Sequence, residues 1–569
     1  MQEAAAAPRP AVQQQALEQA LSAQRIALGL FAFVRAHSAA LVFCAAVALG
    51  LSVRLVHLLS VDFPLNDGGM FYVMARDIQE HGYAVPSHTS YNSGDIPFAY
   101  PYLPFYLAAV LDQIGPWSLI EVIRFLPLVA NLLTIGALFL LARRLLPNRL
   151  SAGIAVLVFV LLPRSYEWMI MGGGLTRSFG FLFVLLALHQ LLLLYRQPGR
   201  RLLITATSCA TLAVLSHPEA AWVLAFSAAL LLLCYGRDRA ALRNSFLAAG
   251  GVLVLSAPWW ATVLAQNGLS PLVSAVGTGG NTWNAHLAFY SWRFTEQPYL
   301  NWPAMLAILG GLVALSRGKA FLPLWLFAIV VLEPRSAPTY AAAPIALLAA
   351  FCIDGLVLPI WNGALAPQAA SPTDAPRIGS LSWPAFLPSP QTLVARGAVV
   401  LFLIYIGIIA LESAYYPLPA LRGLSAEDRN AMAWVAENTD EDATFLVLTG
   451  EPNAWTDRTA EWFPALTGRE SVATLQGYEW MGRDAFDRQR AGAGAVQRCA
   501  DVYCMERWLR TQDLEADYVY LTQTCCTALR LSLQTSIDYR LVHYDRGALV
   551  FALLHDGHAA GTWPQLGGG

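Results

Sequence analysis

The feature that most constrains this chain is a series of apolar runs that recurs from residue 39 to residue 411, separated by short polar connections. Backbone N–H and C=O groups inside a bilayer must pair within the protein, so such runs fold as membrane helices. They lie at 39–60, 123–141, 152–162, 179–195, 202–215, 220–235, 248–264, 305–315, 322–332, 340–360 and 394–411. This predicts about eleven crossings, several of them shorter than the ~20 residues of a straight span. Composition agrees: 56% of residues are hydrophobic, 13% are charged, and mean hydropathy is +0.48. A formal net charge of -2 gives no reason to expect nucleic acid as a partner. The Ala/Gln-rich start, 1–36, does not read as a cleavable signal peptide.

Orientation follows from arginine, because Lys319 is the only lysine. Arg143, Arg144 and Arg149 share one connection, Arg196, Arg200 and Arg201 a second, and Arg237, Arg239 and Arg243 a third. Arg317 and Lys319 occupy a fourth, and Arg25 and Arg35 precede the first run. The positive-inside rule places these alternate loops and the amino terminus on the cytoplasmic side.

The loop after the first run, 62–111, then faces outward. Asn66-Asp67-Gly68-Gly69 reads as a turn, and residues 70–81 carry Phe71, Met74, Ala75 and Ile78 at helical spacing. This spacing predicts a helix lying at the membrane interface. Tyr100-Pro101-Tyr102-Leu103-Pro104 opens a second apolar helix too short to be a firm span. Other polar motifs map to the same outer side. They are Gly172-Gly173-Gly174 with Thr176 and Arg177, Ser216-His217-Pro218-Glu219, Gly277 to Asn281 with Trp283, and Glu333-Pro334-Arg335-Ser336. Polar and ionisable groups at membrane depth are costly and usually functional, so their convergence points to an outer active site.

A Pro/Ala/Ser-rich connection, 361–391, precedes the last run and reads as flexible. From Pro417 the character is that of a soluble domain. Ser425 to Asp428 is a capping-box start for a helix ending near Asn438. Strands are expected at 444–448 and 518–521, with a hairpin over 541–554 turning at Asp545-Arg546-Gly547. Alternating helix and strand predicts a small α/β domain, with a disordered tail after His558. Cys499, Cys504, Cys525 and Cys526 all fall here, an even number that suits disulfides outside the cytoplasm better than a zinc site. Adjacent cysteines seldom pair, so the expected bond joins the 499–504 region to Cys525 or Cys526.

Residues 54–144 resemble the GT-C class of integral membrane glycosyltransferases. The class includes the protein O-mannosyltransferases, the lipid A aminoarabinose transferases and the RgtA/B/C/D-like families. The resemblance rests on Asp67 after the first span, a helix ending at Gly82 and Pro86, the segment Tyr100 to Tyr106, and a span from Arg124 to Arg143-Arg144. The helix Ala431 to Asn438 is similar to the start of the soluble domain in that class. The chain departs from the class at Gly68, where a second acidic residue is frequent, and at Gly174 to Arg177, where an acidic residue is common.

The resemblance implies an all-α polytopic membrane domain of GT-C type (37–416) with about eleven helices and a C-terminal extracytoplasmic α/β domain (417–558). It implies transfer of a sugar from a polyprenyl-phosphate donor to a glycan, lipid or protein hydroxyl, with inversion, at the outer face of the plasma membrane. Asp67 would be the general base. Arg335, Arg177 and Arg124, with Tyr100 and Tyr102, would hold the donor phosphate and its prenyl chain. His217 and Glu219 would form an acceptor or metal region, and the class leaves a divalent cation, Mg or Mn, open as cofactor. Each pick has a plainer alternative. Asp67 also suits a helix N-cap, the arginines suit interfacial anchors, and the glycine run suits close helix packing. A different class of function, a transporter or flippase for lipid-linked sugars, would favour an internal repeat and polar groups at mid-depth. No repeat is evident. A non-catalytic envelope-assembly protein would leave Asp67 dispensable.

Overall fold

A computed structural model describes residues 11–93, 95–278, 302–362, 390–555 and 558–559. Gly279, Gly280, Asn281, Trp283, Arg293, most of the 361–391 connection and the tail beyond residue 559 lie outside the described residues.

Each apolar run falls on a helix. In chain order these are α1 (Ala11–Leu59), α2 (Gly69–Glu80), α3 (Leu103–Ile114), α4 (Leu119–Leu145), α5 (Arg149–Leu161), α6 (Gly174–Arg196), α7 (Arg200–Val214), α8 (Pro218–Tyr235), α9 (Arg239–Leu255), α10 (Ala257–Asn267) and α11 (Ser270–Gly277). Helices Trp302–Ser316, Phe321–Leu332, Ala337–Cys352 and Pro390–Tyr415 follow among the described residues. Among the described residues, six helices are long and apolar enough to cross a membrane, or eight if each of two bent pairs is one span. The count expected from the sequence therefore exceeds what length and composition support. One bend, of 93°, follows α5, where Pro163 starts a short turn. The other, of 51°, separates α9 from α10 beside Pro258. Proline cannot donate the helix bond it replaces, so breaks at these positions are expected.

Side-chain contacts sort the connections into two ends. Arg196 Nη2 donates to the Arg144 carbonyl at 3.0 Å. Asp354 accepts from Asn148 at 2.8 Å and Ser151 at 2.9 Å and pairs with Arg317 at 3.3 Å. The arginine-bearing loops thus meet at one end, and the loop holding Asp67 meets the glycine run at the other.

From Ala426 a helix to Asn438 begins with Ser425, whose hydroxyl accepts from the Asp428 N–H at 3.0 Å. Six strands follow: β1 (Thr444–Leu448), β2 (Glu470–Ser471), β3 (Tyr518–Thr522), β4 (Tyr539–Tyr544), β5 (Ala548–His555) and β6 (His558–Ala559). Their order is β2-β1-β3-β5-β4, with β1 parallel to β2 and β3 and β5 antiparallel to its neighbours. The expected hairpin is β4–β5, turned by Asp545, whose carboxylate accepts from the Gly547 N–H at 2.8 Å.

The sheet has two apolar faces because side chains alternate along a strand. Leu446, Leu448, Val519, Leu521 and Phe551 face helices of the C-terminal part alone. Phe445, Val447, Tyr518, Tyr520 and Val550 share a core with Met70, Phe71 and Met74 of α2 and with Trp462 and Phe463. The apolar stripe of α2 is thus buried against protein, where an interfacial helix was expected.

The disulfide expectation is corrected. Cys499 bonds Cys504, and Cys525 bonds its neighbour Cys526. Cys499 and Cys504 flank the start of the helix Val502–Gln512, where the turn brings their Cα atoms to 5.5 Å. That separation lies within the ordinary disulfide range.

Candidate active site

Asp67 sits on a tight loop between α1 and α2. Its neighbours Asn66 and Gly68 have φ of 52° and 120°. Left-handed backbone of this kind is ordinary for glycine and tolerated by asparagine. The loop meets the glycine run at backbone distance: a Cβ on Gly172 would lie 1.9 Å from the Asp67 carbonyl oxygen, and one on Gly173 would lie 2.3 Å from Asp67 Oδ2. Glycine at both positions lets the Gly173 N–H reach Asp67 Oδ1 at 2.7 Å. Arg177, one turn into α6, donates to Asp67 Oδ2 at 3.3 and 3.4 Å. The Asp67 carboxylate is therefore buried and held from two sides, by the Gly173 N–H and by Arg177.

A second ion pair stands close by. Glu219, in the first turn of α8, meets Arg335 Nε at 3.4 Å and accepts from the Ser336 hydroxyl at 2.6 Å. The Arg335 guanidinium lies over the Trp455 ring, 5.3 Å from its centroid. Beside it, burial and then the Glu219 charge push the Glu333 carboxyl up to about 8. His217 is buried next to Tyr100, ring centres 6.3 Å apart, and burial lowers it to about 4, so it is neutral. Three buried polar atoms around these groups, His217 Nδ1, Tyr340 Oη and Trp480 Nε1, have no partner among the described residues.

The structure thus brings Asp67, Arg177, His217, Glu219, Arg335 and Tyr100 into one neighbourhood. Arg124 has other partners: it donates to the carbonyls of Leu58 at 3.3 Å, Val61, and Asp62 at 3.5 Å, closing the end of α1. The Tyr102 hydroxyl donates to the Trp259 carbonyl at 3.4 Å. Sequence reasoning passed over the contribution of the C-terminal part. Glu461 accepts from the Gly68 N–H at 2.8 Å, and burial followed by the Asp67 charge pushes it up to about 8. Its signal was legible as a carboxylate directly before the apolar run Trp462-Phe463-Pro464-Ala465-Leu466.

Among the described residues, no three His, Cys, Asp or Glu side chains are grouped to hold a metal ion. A divalent cation fits poorly at Asp67, because the guanidinium of Arg177 already neutralises the carboxylate. Away from Asp67, a cavity of about 430 Å³ opens between the bend after α5 and the helix Pro390–Tyr415. Leu161, Pro163, Trp302 and Ile409 give it an apolar lining, with Arg164 and Glu167 paired at 3.1 Å on its wall.

No family model matches the chain, and no curated protein matches it by sequence. Solved structures do match its fold. The oligosaccharyltransferase AglB from Archaeoglobus fulgidus, in complex with an inhibitory peptide and a dolichol-phosphate, superposes with a TM-score of 0.56. Its identity is 15%, over 92% of this chain and 75% of that one. ArnT from Cupriavidus metallidurans, bound to undecaprenyl phosphate, gives 0.52 at 17% identity over 91% of this chain and 99% of that one. The mycobacterial arabinofuranosyltransferase AftD gives 0.51 at 14% identity, over 91% of this chain and 40% of that one. The helical bundle, the loop that carries Asp67 and the C-terminal sheet together give this chain the fold of the GT-C class of membrane glycosyltransferases.

Proposed function

We propose that the protein transfers a sugar from a polyprenyl-phosphate donor to an acceptor hydroxyl at the extracytoplasmic face, with inversion and with Asp67 as general base. The carrying observation is the buried Asp67 carboxylate held by Arg177 and the Gly173 N–H on a GT-C fold. A sugar hydroxyl is a weak nucleophile, so a carboxylate in hydrogen-bond reach must take its proton as it attacks the anomeric carbon. The bond from that carbon to the phosphate oxygen breaks in the same step, and a single displacement inverts the centre. Charge then grows on the leaving prenyl phosphate, where Arg335 and Arg177 supply fixed guanidinium groups. Arg177 turning to the phosphate would free Asp67 to act as base. The unpartnered His217, Tyr340 and Trp480 atoms suit sugar hydroxyls, and the apolar cavity suits an isoprenoid chain.

On this reading the apolar runs are about eleven crossings, the short ones met by local thinning of the bilayer and by bends that divide a span. The amino terminus is cytoplasmic, and the part from Pro417 lies outside. The test is transfer by purified protein from a panel of undecaprenyl-phosphate hexoses and pentoses. Asp67→Asn keeps size and polarity but removes the base, so turnover should fall by ~10² or more while the protein stays folded. Wild-type turnover in Asp67→Asn, with chemistry limiting, would sink the base assignment. Absence of transfer from every donor would count against the activity itself.

A further inference from the structure

The Asp67 loop is held from the outside as well as from the membrane part. The Asn66 N–H donates to the Arg422 carbonyl at 2.8 Å, its side chain to the Trp455 carbonyl at 3.1 Å, and its carbonyl accepts from Trp462 Nε1 at 3.1 Å. The Gly68 N–H donates to Glu461 Oε1 at 2.8 Å, and Gln476 Nε2 donates to Glu461 Oε2 at 3.0 Å. The Tyr91 hydroxyl donates to the Glu461 carbonyl at 2.7 Å. Left-handed residues persist only where surrounding contacts over-determine them, and here most of those contacts come from the helix Arg458–Thr467 and its flanks.

Glu461 is the unusual member. It is 5% exposed, and the two described hydrogen bonds to its carboxyl come from neutral donors. The charged and titratable groups around it are Asp67 from the loop, Arg177 from α6, Glu479 from the turn Tyr478–Trp480, and Tyr91 from the outer loop. Asp67 and Glu479 would both repel an anion at this position. A second carboxylate here would also oppose an incoming phosphate.

We propose that Glu461 is a positioning residue for Asp67, its carboxyl holding the Gly68 N–H so that the Asn66–Gly68 turn keeps the Asp67 carboxylate on Gly173 and Arg177. The proposal rests on Asp67 being the base of the transfer. It makes the catalytic loop a joint product of the membrane part and the C-terminal part. Neutral Glu461 leaves one anion beside Arg177, and its oxygen need only accept a hydrogen bond. An amide can do the same.

The experiment compares Glu461→Gln, Glu461→Ala and Asp67→Asn in the full chain, using the undecaprenyl-phosphate sugar that the wild type turns over. Glu461→Ala should lose about tenfold or more in kcat with little change in donor KM, because the base is displaced while the donor site is kept. Glu461→Gln should stay within about threefold of wild type at pH 7. The wild type should lose kcat/KM as pH rises through about 8, where Glu461 ionises, and Glu461→Gln should lack that limb. Wild-type kcat in Glu461→Ala would overturn the proposal. So would a Glu461→Gln variant as slow as Glu461→Ala, since the carboxyl itself would then be required. Where Glu461→Ala does not fold, an alkaline limb unchanged in Glu461→Gln overturns it. An inactive Asp67→Asn beside a fully active Glu461→Ala removes only this proposal, whereas a fully active Asp67→Asn removes the base assignment and this proposal with it.

Discussion

Arg177 and Arg335 each meet a carboxylate through long contacts of 3.3 to 3.4 Å and each lie against a tryptophan, Trp168 and Trp455. A guanidinium so placed can exchange a carboxylate for a phosphate while keeping its ring contact. Arg335→Lys should therefore be nearly as damaging to turnover as Arg335→Ala, since an ammonium offers neither the planar fork nor the stacking. Full rescue by lysine would reduce Arg335 to a general positive charge. Glu333 makes a second prediction through its proton. Its folded-state carboxyl titrates near 8, against 4.5 unfolded, so the folded protein keeps a proton that the unfolded chain has released. Stability must then fall as pH rises through that interval. Glu333→Gln should melt a few degrees above wild type at pH 8, with the gap closing towards pH 5. Parallel melting curves across that range would refute the assignment. Asp67 and Arg177 could be picked out in the sequence because each is a charge beside an apolar run. Their contact could not, because 110 residues separate them.

At the scale of elements, the bend after α5 is held by a buried cation. Arg54 in α1 is fully buried and donates to Asn131 of α4 at 2.5 Å, to Ser165 at 3.1 Å, and to the carbonyls of Gly50 and Val160. Its guanidinium also lies 5.1 Å from the Tyr166 ring centre. One residue thus joins three helices at the point where the chain turns towards the glycine run. Arg54→Ala would leave several buried acceptors unpaired, at roughly 1–3 kcal/mol each before relaxation. The expected result is an apparent Tm several degrees lower and a poor yield in detergent, measured by size-exclusion and thermal scanning. An unchanged Tm would show that the bend is set by Pro163 alone. Helix positions were legible in the sequence, since the apolar runs coincide with helices. The bend angle was not, because it depends on contacts from α1 and α4.

For the whole molecule, the part after Pro417 shares one core with α2 and contributes the residues that grip the Asp67 loop. The Arg429 to Asp62 pair, at 2.6 Å, ties the same surfaces together. On the proposed topology, with the amino terminus inside and an odd number of crossings, this part would lie in an oxidising compartment. Non-reducing peptide mapping should recover Cys499 bonded to Cys504 and Cys525 bonded to Cys526, and an alkaline phosphatase fused after Gly569 should be active. Free thiols together with an inactive reporter would overturn the outer placement. Recovery of a bond between the two pairs would instead restore the pairing expected from sequence.

What the sequence determined by itself is whatever depends on local pattern. Apolar length called for membrane helices, arginine spacing sorted the loops, and short runs of β-branched, aromatic and aliphatic residues marked β1, β3 and the β4–β5 hairpin. Gly68 marked a turn, and the glycines at 172–174 marked close helix packing. Tertiary structure alone decided which partners meet. It placed Glu461, from a helix nearly four hundred residues further on, against the Gly68 N–H, and it closed each cysteine pair locally. Hydrophobic patterning says which face of an element is buried and is silent about what buries it. Hydrogen bonds and ion pairs act over a few ångströms, so their partners exist only once the chain has folded.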